Sequence, residues 1–132
     1  MSRKRIQCFV DGFNLYHAVD KLGDDHLKWY NLRQLVSNFI DPTTQEITDV
    51  FYFSAYANWL PSAVARHKEY VKAITAMGCQ PVMGVFKEKD RSCRSCKNTW
   101  KAHEEKETDV NIALWLIRGA FKNHYDEAFV VS

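Results

Sequence analysis

The apolar positions of this chain come in short clusters separated by charge. The first is "IQCFV" at residues 6–10, set between Arg3-Lys4-Arg5 and Asp11-Gly12. A run this short and this apolar predicts a buried strand. The stretch 30–40, "YNLRQLVSNFI", puts Leu32, Leu35, Val36 and Phe39 on one helical face. Asp41-Pro42 should end that helix, because a residue before proline avoids the α region. Residues 47–57, "ITDVFYFSAYA", are β-branched and aromatic, a second strand. Pro61 suits a first helical turn. The helix it opens should run to about Met77, with Val64, Val71 and Ile74 inward and Gly78 as its stop. "CQPVMGVF" at 79–86 reads as a third strand and "EAFVVS" at 127–132 as a fourth. Between them, residues 108–121 carry Val110, Ala113, Leu114, Ile117 and Phe121 at helical spacing, an amphipathic helix with that stripe expected inward. Residues 87–106 are polar and charged without a sustained period, and are expected to be an insertion.

Strands alternating with helices predict an α/β fold with a doubly wound, mainly parallel sheet flanked by helices. In such sheets ligands sit beyond the C-terminal strand ends, where strand order reverses, and Asp11 stands at one such end. A doubly wound domain normally continues past a fourth strand, so a chain stopping at Ser132 is expected to be truncated before its last strand.

Composition narrows the picture further. With 132 residues, 46% hydrophobic and 14% aromatic, the chain suits one folded domain and not a disordered segment. No apolar run approaches the roughly 18 residues of a membrane span, and no signal-peptide core follows the basic start. A cytoplasmic location without membrane attachment is the default expectation. The net charge of +2 does not announce a polyanion partner, but "SRKR" at 2–5 and "FKEKDRSCRSCK" at 86–97 concentrate cations that suit phosphate contacts or plain solvated surface. Four cysteines in such a chain argue against a disulfide framework.

The chemistry centres on Asp11. A carboxylate just past a parallel strand can hold a hard cation, and Asn14 can orient it by hydrogen bonding. Gly12 allows a sharp turn and leaves room for substrate. Mg²⁺ wants several oxygen ligands, so a second acid should arrive from another strand end or helix start. "HEEKETDVNIA" at 103–113 offers Asp109 at the start of the last helix, with Glu107 and Asn111 nearby. Ordinary turn and capping roles remain alternatives for both aspartates.

"FVDGFNLYHA", "KETDVNIALWLI" and "YDEAFVVS" together resemble the NYN domain, a branch of the PIN-like metal-dependent nucleases with a Rossmann-like sheet. The resemblance spans essentially the whole chain in order. It implies hydrolysis of RNA phosphodiesters by acid-held Mg²⁺ or Mn²⁺, with Asp11 and Asp109 as metal-binding carboxylates and Asn14 as a supporting residue at the catalytic centre. The family's fourth strand normally runs on into further metal-binding acids, which are absent from a sequence ending at Ser132. Lys106, Arg91 and Arg94 are candidates for holding the backbone of an RNA, single-stranded by expectation, and Tyr16 or Trp100 for stacking on unpaired bases. A non-catalytic RNA-binding or regulatory module is the rival function. A phosphoryl-transfer enzyme of the haloacid dehalogenase kind would want a second aspartate at residue 13, which is Phe. A homodimer stays open.

Cys93 and Cys96, in "CRSC", have the spacing with which two thiolates bind one Zn²⁺ from a tight turn. His103 is the candidate third ligand. A redox pair and free surface thiols are the alternatives.

Overall fold

The computed structural model describes residues 2–132, with the side chains of residues 105 and 106 outside the description. In chain order the elements are β1 (Lys4–Asp11), α1 (Gly12–Asp20), a 3₁₀ turn (Asp25–Trp29), α2 (Leu32–Ser37), β2 (Gln45–Ala55), α3 (Pro61–Ala76), β3 (Cys79–Ser92), β4 (Thr99–Lys106), α4 (Thr108–Phe121) and β5 (Glu127–Val131). The strands form one five-stranded sheet in the order β4-β3-β2-β1-β5. β1 lies parallel to both β2 and β5, and β2 is parallel to β3, whereas β3 and β4 are antiparallel. The sheet is therefore mixed. The residues expected to be an irregular insertion extend β3 and return as β4, a polar hairpin that carries no apolar alternation because it projects past the packed sheet. No helix among the described residues is long and apolar enough to cross a membrane.

β1 explains its own sequence. Ile6, Cys8 and Val10 pack on one face with Val50 and Tyr52 of β2, Leu32 and Val36 of α2, and Tyr70, Val71 and Ile74 of α3. Phe9 packs on the other face with Phe51, Phe53 and Ile112, joined by Trp115 and Leu116 of α4. A strand covered on both faces must be apolar throughout. The exception, Gln7, is buried but satisfied: its amide donates to Asp49 Oδ2 at 2.9 Å, and Gln80 Nε2 reaches Asp49 Oδ1 at 2.8 Å. One β2 carboxylate thus ties three strands in register.

α3 begins on Pro61 and ends ahead of Gly78 at φ +93, with Val64, Val71 and Ile74 buried as the spacing requires. α2 is shorter than its pattern. Its last turn tightens into i→i+3 bonds, Asn38 N to Leu35 O and Phe39 N to Val36 O, which swings Phe39 off the buried face into solvent. α4 occupies its expected residues but turns the opposite face inward. Thr108, Ile112 and Gly119 are buried, while Val110, Leu114, Ile117 and Phe121 are exposed.

α1 was not apparent from the spacing. Gly12 opens it without a left-handed backbone, the glycines with positive φ being Gly23 and Gly78. Its lack of a side chain serves packing instead. A methyl group there would lie 2.5 Å from Tyr52 Cζ and 2.8 Å from its hydroxyl. Gly12→Ala should therefore lower the unfolding free energy by about 1–3 kcal/mol, the usual cost of overpacking, in a denaturant titration. Unchanged or raised stability would show that the Tyr52 ring simply moves aside.

Candidate functional site

The chain steps from β1 to β2 to β3 in one direction, then returns through α4 to place β5 on the other side of β1. Strand order reverses there, between the C-terminal ends of β1 and β5, the position at which sheets of this kind take ligands. Val10 pairs with Val131, so Asp11 and Ser132 leave the sheet side by side.

Asp11 is almost completely buried and does two jobs. As N-cap of α1, its Oδ1 accepts the Asn14 backbone N–H at 3.0 Å. Its Oδ2 accepts Asn14 Nδ2, also at 3.0 Å. The same Asn14 amide donates to Ser132 Oγ at 3.0 Å, linking the ends of β1 and β5. Asn14 thus holds the carboxylate from both sides. Sequence spacing posed capping and ligand roles as alternatives, and the geometry makes them compatible, since each oxygen retains a lone pair.

Asp109 reaches this end of the sheet through the hairpin. β4 runs back until Lys106 pairs with Val85, next to the Gly84–Ala55 pairing that ends β2. Glu107 turns the chain in a left-handed conformation, φ +77, and α4 starts at Thr108. Asp109 therefore sits in the first turn of α4, exposed, at the sheet end that carries Asp11. The two carboxylates feel each other. Burial pushes the Asp11 carboxyl above its ordinary range, and repulsion from Asp109 pushes it further, while the N–H groups of Asn14 and Phe13 pull it back. Two hard oxygen donors that repel one another fit the one or two protein carboxylates Mg²⁺ or Mn²⁺ commonly uses. Among the described residues no group of three or more His, Cys, Asp or Glu is gathered for a metal.

The remaining candidates scatter. Cys93 and Cys96 lie in the hairpin turn, where Lys97 N bonds back to Cys93 O at 2.9 Å. N–H groups of Cys96 and Ser95 and the Cys96 side chain hold the Cys93 thiol below its usual value. His103 does not join them. It pairs with Glu88 four residues along β4 from Thr99, about 13 Å at the strand rise, and its ring stacks on Trp59 at 3.6 Å. The described donors therefore do not fit a closed zinc site.

Arg91 is occupied by Glu104, Nη2 to Oε1 at 2.5 Å, which also draws Lys89 to 3.5 Å. Lys101 answers Glu88 and Asp90 on the same hairpin. Two cations of the run that looked basic in sequence, Lys89 and Arg91, thus share one cross-strand carboxylate. Arg94 sits at the exposed hairpin tip. The Lys106 side chain lies outside the described residues. Tyr16 and Trp100 are each about half exposed, Tyr16 with Lys28 Nζ 5.5 Å from its ring centre. A cavity of about 640 Å³ opens beside Gly12, walled by aromatic side chains from six separate segments that no local spacing could have grouped.

The family model of the NYN domain matches residues 5–132. No curated protein and no solved structure matches the chain.

The raised Asp11 carboxyl carries a sign. Folding disfavours its ionised form, so the carboxylate weakens the fold above its folded pKa and not below its unfolded one. Asn also caps helices well, and the Asn14 amide can turn over to accept from it. Asp11→Asn should therefore melt at a higher temperature than the parent at pH 7, the gain fading as pH falls through the carboxylate range. A variant less stable at pH 7 would mean that Asp11 is foremost a structural cap.

Proposed function

Because the chain belongs to the NYN domain family, whose membership points to nuclease-like action on RNA, we propose that it is a divalent-metal-dependent ribonuclease. It hydrolyses RNA phosphodiesters at the point where strand order reverses, beside the ends of β1 and β5, with Asp11 and Asp109 as metal-binding carboxylates. The observation that carries this reading is the buried, hydrogen-bonded Asp11 carboxylate within electrostatic reach of Asp109 at the point where strand order reverses.

Mg²⁺ or Mn²⁺ bound between these groups would supply a water of lowered pKa and neutralise charge on the phosphate. The chain's own contribution is positioning. Asn14 fixes the Asp11 carboxylate through its backbone and side-chain N–H groups, so the ligand is set before anything binds. Ser132 anchors Asn14 in turn. Asp109, in the first turn of α4, is exposed to solvent. Arg94 at the hairpin tip suits contact with the phosphate backbone of a single strand. Arg91 must leave Glu104 before it can do the same.

The rival reading is a non-catalytic RNA-binding module. It is favoured by the absence, among the described residues, of a third ligand gathered with the two aspartates. Cleavage of end-labelled single-stranded RNA in Mn²⁺ or Mg²⁺ separates the two. The nuclease reading expects chelator-sensitive cleavage that both Asp11→Asn and Asp109→Asn reduce by more than about 100-fold in kcat/KM, the lower end for losing a positioned catalytic group, with the fold retained. RNA binding without cleavage, indifferent to Asp11→Asn, would overturn it in favour of the module.

A further inference from the structure

The cavity beside Gly12 is larger than imperfect packing requires and unusual in its walls. At about 640 Å³ it falls within the range of ligand pockets. Trp29, from the 3₁₀ turn, and Trp59, from the connection into α3, both line it, yet they are 54% and 38% exposed. Tyr16 of α1 also borders it with nearly half its surface in solvent. Large rings left uncovered around one concavity mark a binding surface more than a core defect.

The wall is ordered by ring-on-ring contacts. His103 lies flat on Trp59, with ring planes 8° apart, and Phe86 meets Trp59 edge-on at 4.8 Å. Phe13 extends the set, touching Phe86 at 5.9 Å and His17 at 4.3 Å. These rings come from the hairpin, the β2–α3 connection and α1, so three elements brace one another around the opening. Trp59 is thereby held as a fixed platform with an exposed portion left over.

The wall carries the charged Asp25, Lys28 and Arg66, and beside them polar groups that are neutral. His67 Nε2 shares a 3.1 Å hydrogen bond with the Tyr52 hydroxyl, and burial lowers its pKa, so the imidazole is uncharged at neutral pH. Ser54 adds a buried hydroxyl. Of the cations that border the cavity, Lys28 is held by Asp20 and Asp25, and Arg66 forms no ion pair among the described residues. Aromatic faces with neutral donors and acceptors suit a planar, uncharged heterocycle, with phosphate left to the rim. The cavity is also next to the chemistry. Gly12, in its wall, directly follows Asp11.

We propose that this cavity receives one unpaired nucleobase of a single-stranded RNA, stacked on Trp59, beside the strand-end carboxylates. The assignment rests on the ribonuclease reading for its strand but on the cavity for its base. It makes the substrate single-stranded at that nucleotide, because a paired base cannot leave its helix without unstacking.

The test is binding of the full chain, in chelator, to a short labelled single strand with one central base and abasic residues elsewhere. The comparison is the same strand fully abasic, and a free nucleoside monophosphate is the third probe. One base on one aromatic platform should tighten binding by about 5- to 150-fold over the abasic strand. Trp59→Ala, which removes the platform, and Ala63→Trp, which fills the space from α3, should each erase that difference while leaving the abasic affinity unchanged. Thermal melts check both folds, and either variant suffices if the other fails to fold. Equal affinity for the two strands, or a difference that survives either folded variant, would overturn the assignment. So would a free nucleotide binding as tightly as the strand. Base-dependent binding with no metal-dependent cleavage would instead sink the nuclease reading and leave the cavity assignment standing. Metal-dependent cleavage equally fast in both variants would do the reverse.

Discussion

The Asp11 carboxylate, buried at the end of a fully enclosed strand, is the constraint around which the rest is arranged. A buried charge is costly unless hydrogen bonds compensate it, and here Asn14 supplies them from both backbone and side chain. That requires α1 to start immediately after β1, which in turn requires a residue without a side chain at position 12, because the Tyr52 ring occupies the space. Tyr52 is itself held through His67. The motif "DGFN" is thus a single packing solution: the acid caps, the glycine makes room, and the asparagine orients.

The hairpin has a similar dual character. Lys89, Arg91 and Lys101 pair with Glu104, Glu88 and Asp90 across the strands, so part of its charge is spent on holding the ribbon together. By reversing the chain once beyond the sheet, it delivers Glu107 and the start of α4 to the C-terminal end of the parallel strands. The left-handed Glu107 is where that reversal is completed, a conformation non-glycine residues adopt at some cost and that often accompanies functional sites. Phe86 and His103, from the two hairpin strands, then brace Trp59, joining the ribbon to the cavity wall.

Much of this was legible in the sequence wherever one physical rule dominated. The short apolar run of β1 reads as a buried strand and the β-branched and aromatic residues of β2 as a second one, and both lie inside the sheet. Pro61 and Gly78 bracket α3 by backbone geometry alone. α4 shows where legibility fails. Val110, Ile112, Leu114, Trp115, Leu116 and Ile117 make it apolar nearly all round, so periodicity finds the helix without choosing its face. The sheet chooses Ile112, Trp115 and Leu116 because they meet Phe9, Phe51 and Phe53. The hairpin was hidden because its strands lack a buried face. Asp11, Asn14 and Asp109 are the site residues that motif and element ends propose, and of these Asp11 and Asn14 are in direct contact. The His103–cysteine association was not realised, since ligand spacing in sequence says nothing of a strand that carries the histidine away. The aromatic cavity draws rings from six segments and has no local signature.

The central claim is that Asp11 and Asp109 together bind a divalent metal. Mn²⁺ titration followed by paramagnetic broadening of backbone amide signals tests it most directly, since it reads location as well as affinity. The account predicts saturable broadening centred on Asp11, Gly12, Asn14 and the first turn of α4, lost when Asp11 is replaced by Asn. Broadening centred on the hairpin tip, or none at saturating Mn²⁺, would contradict it.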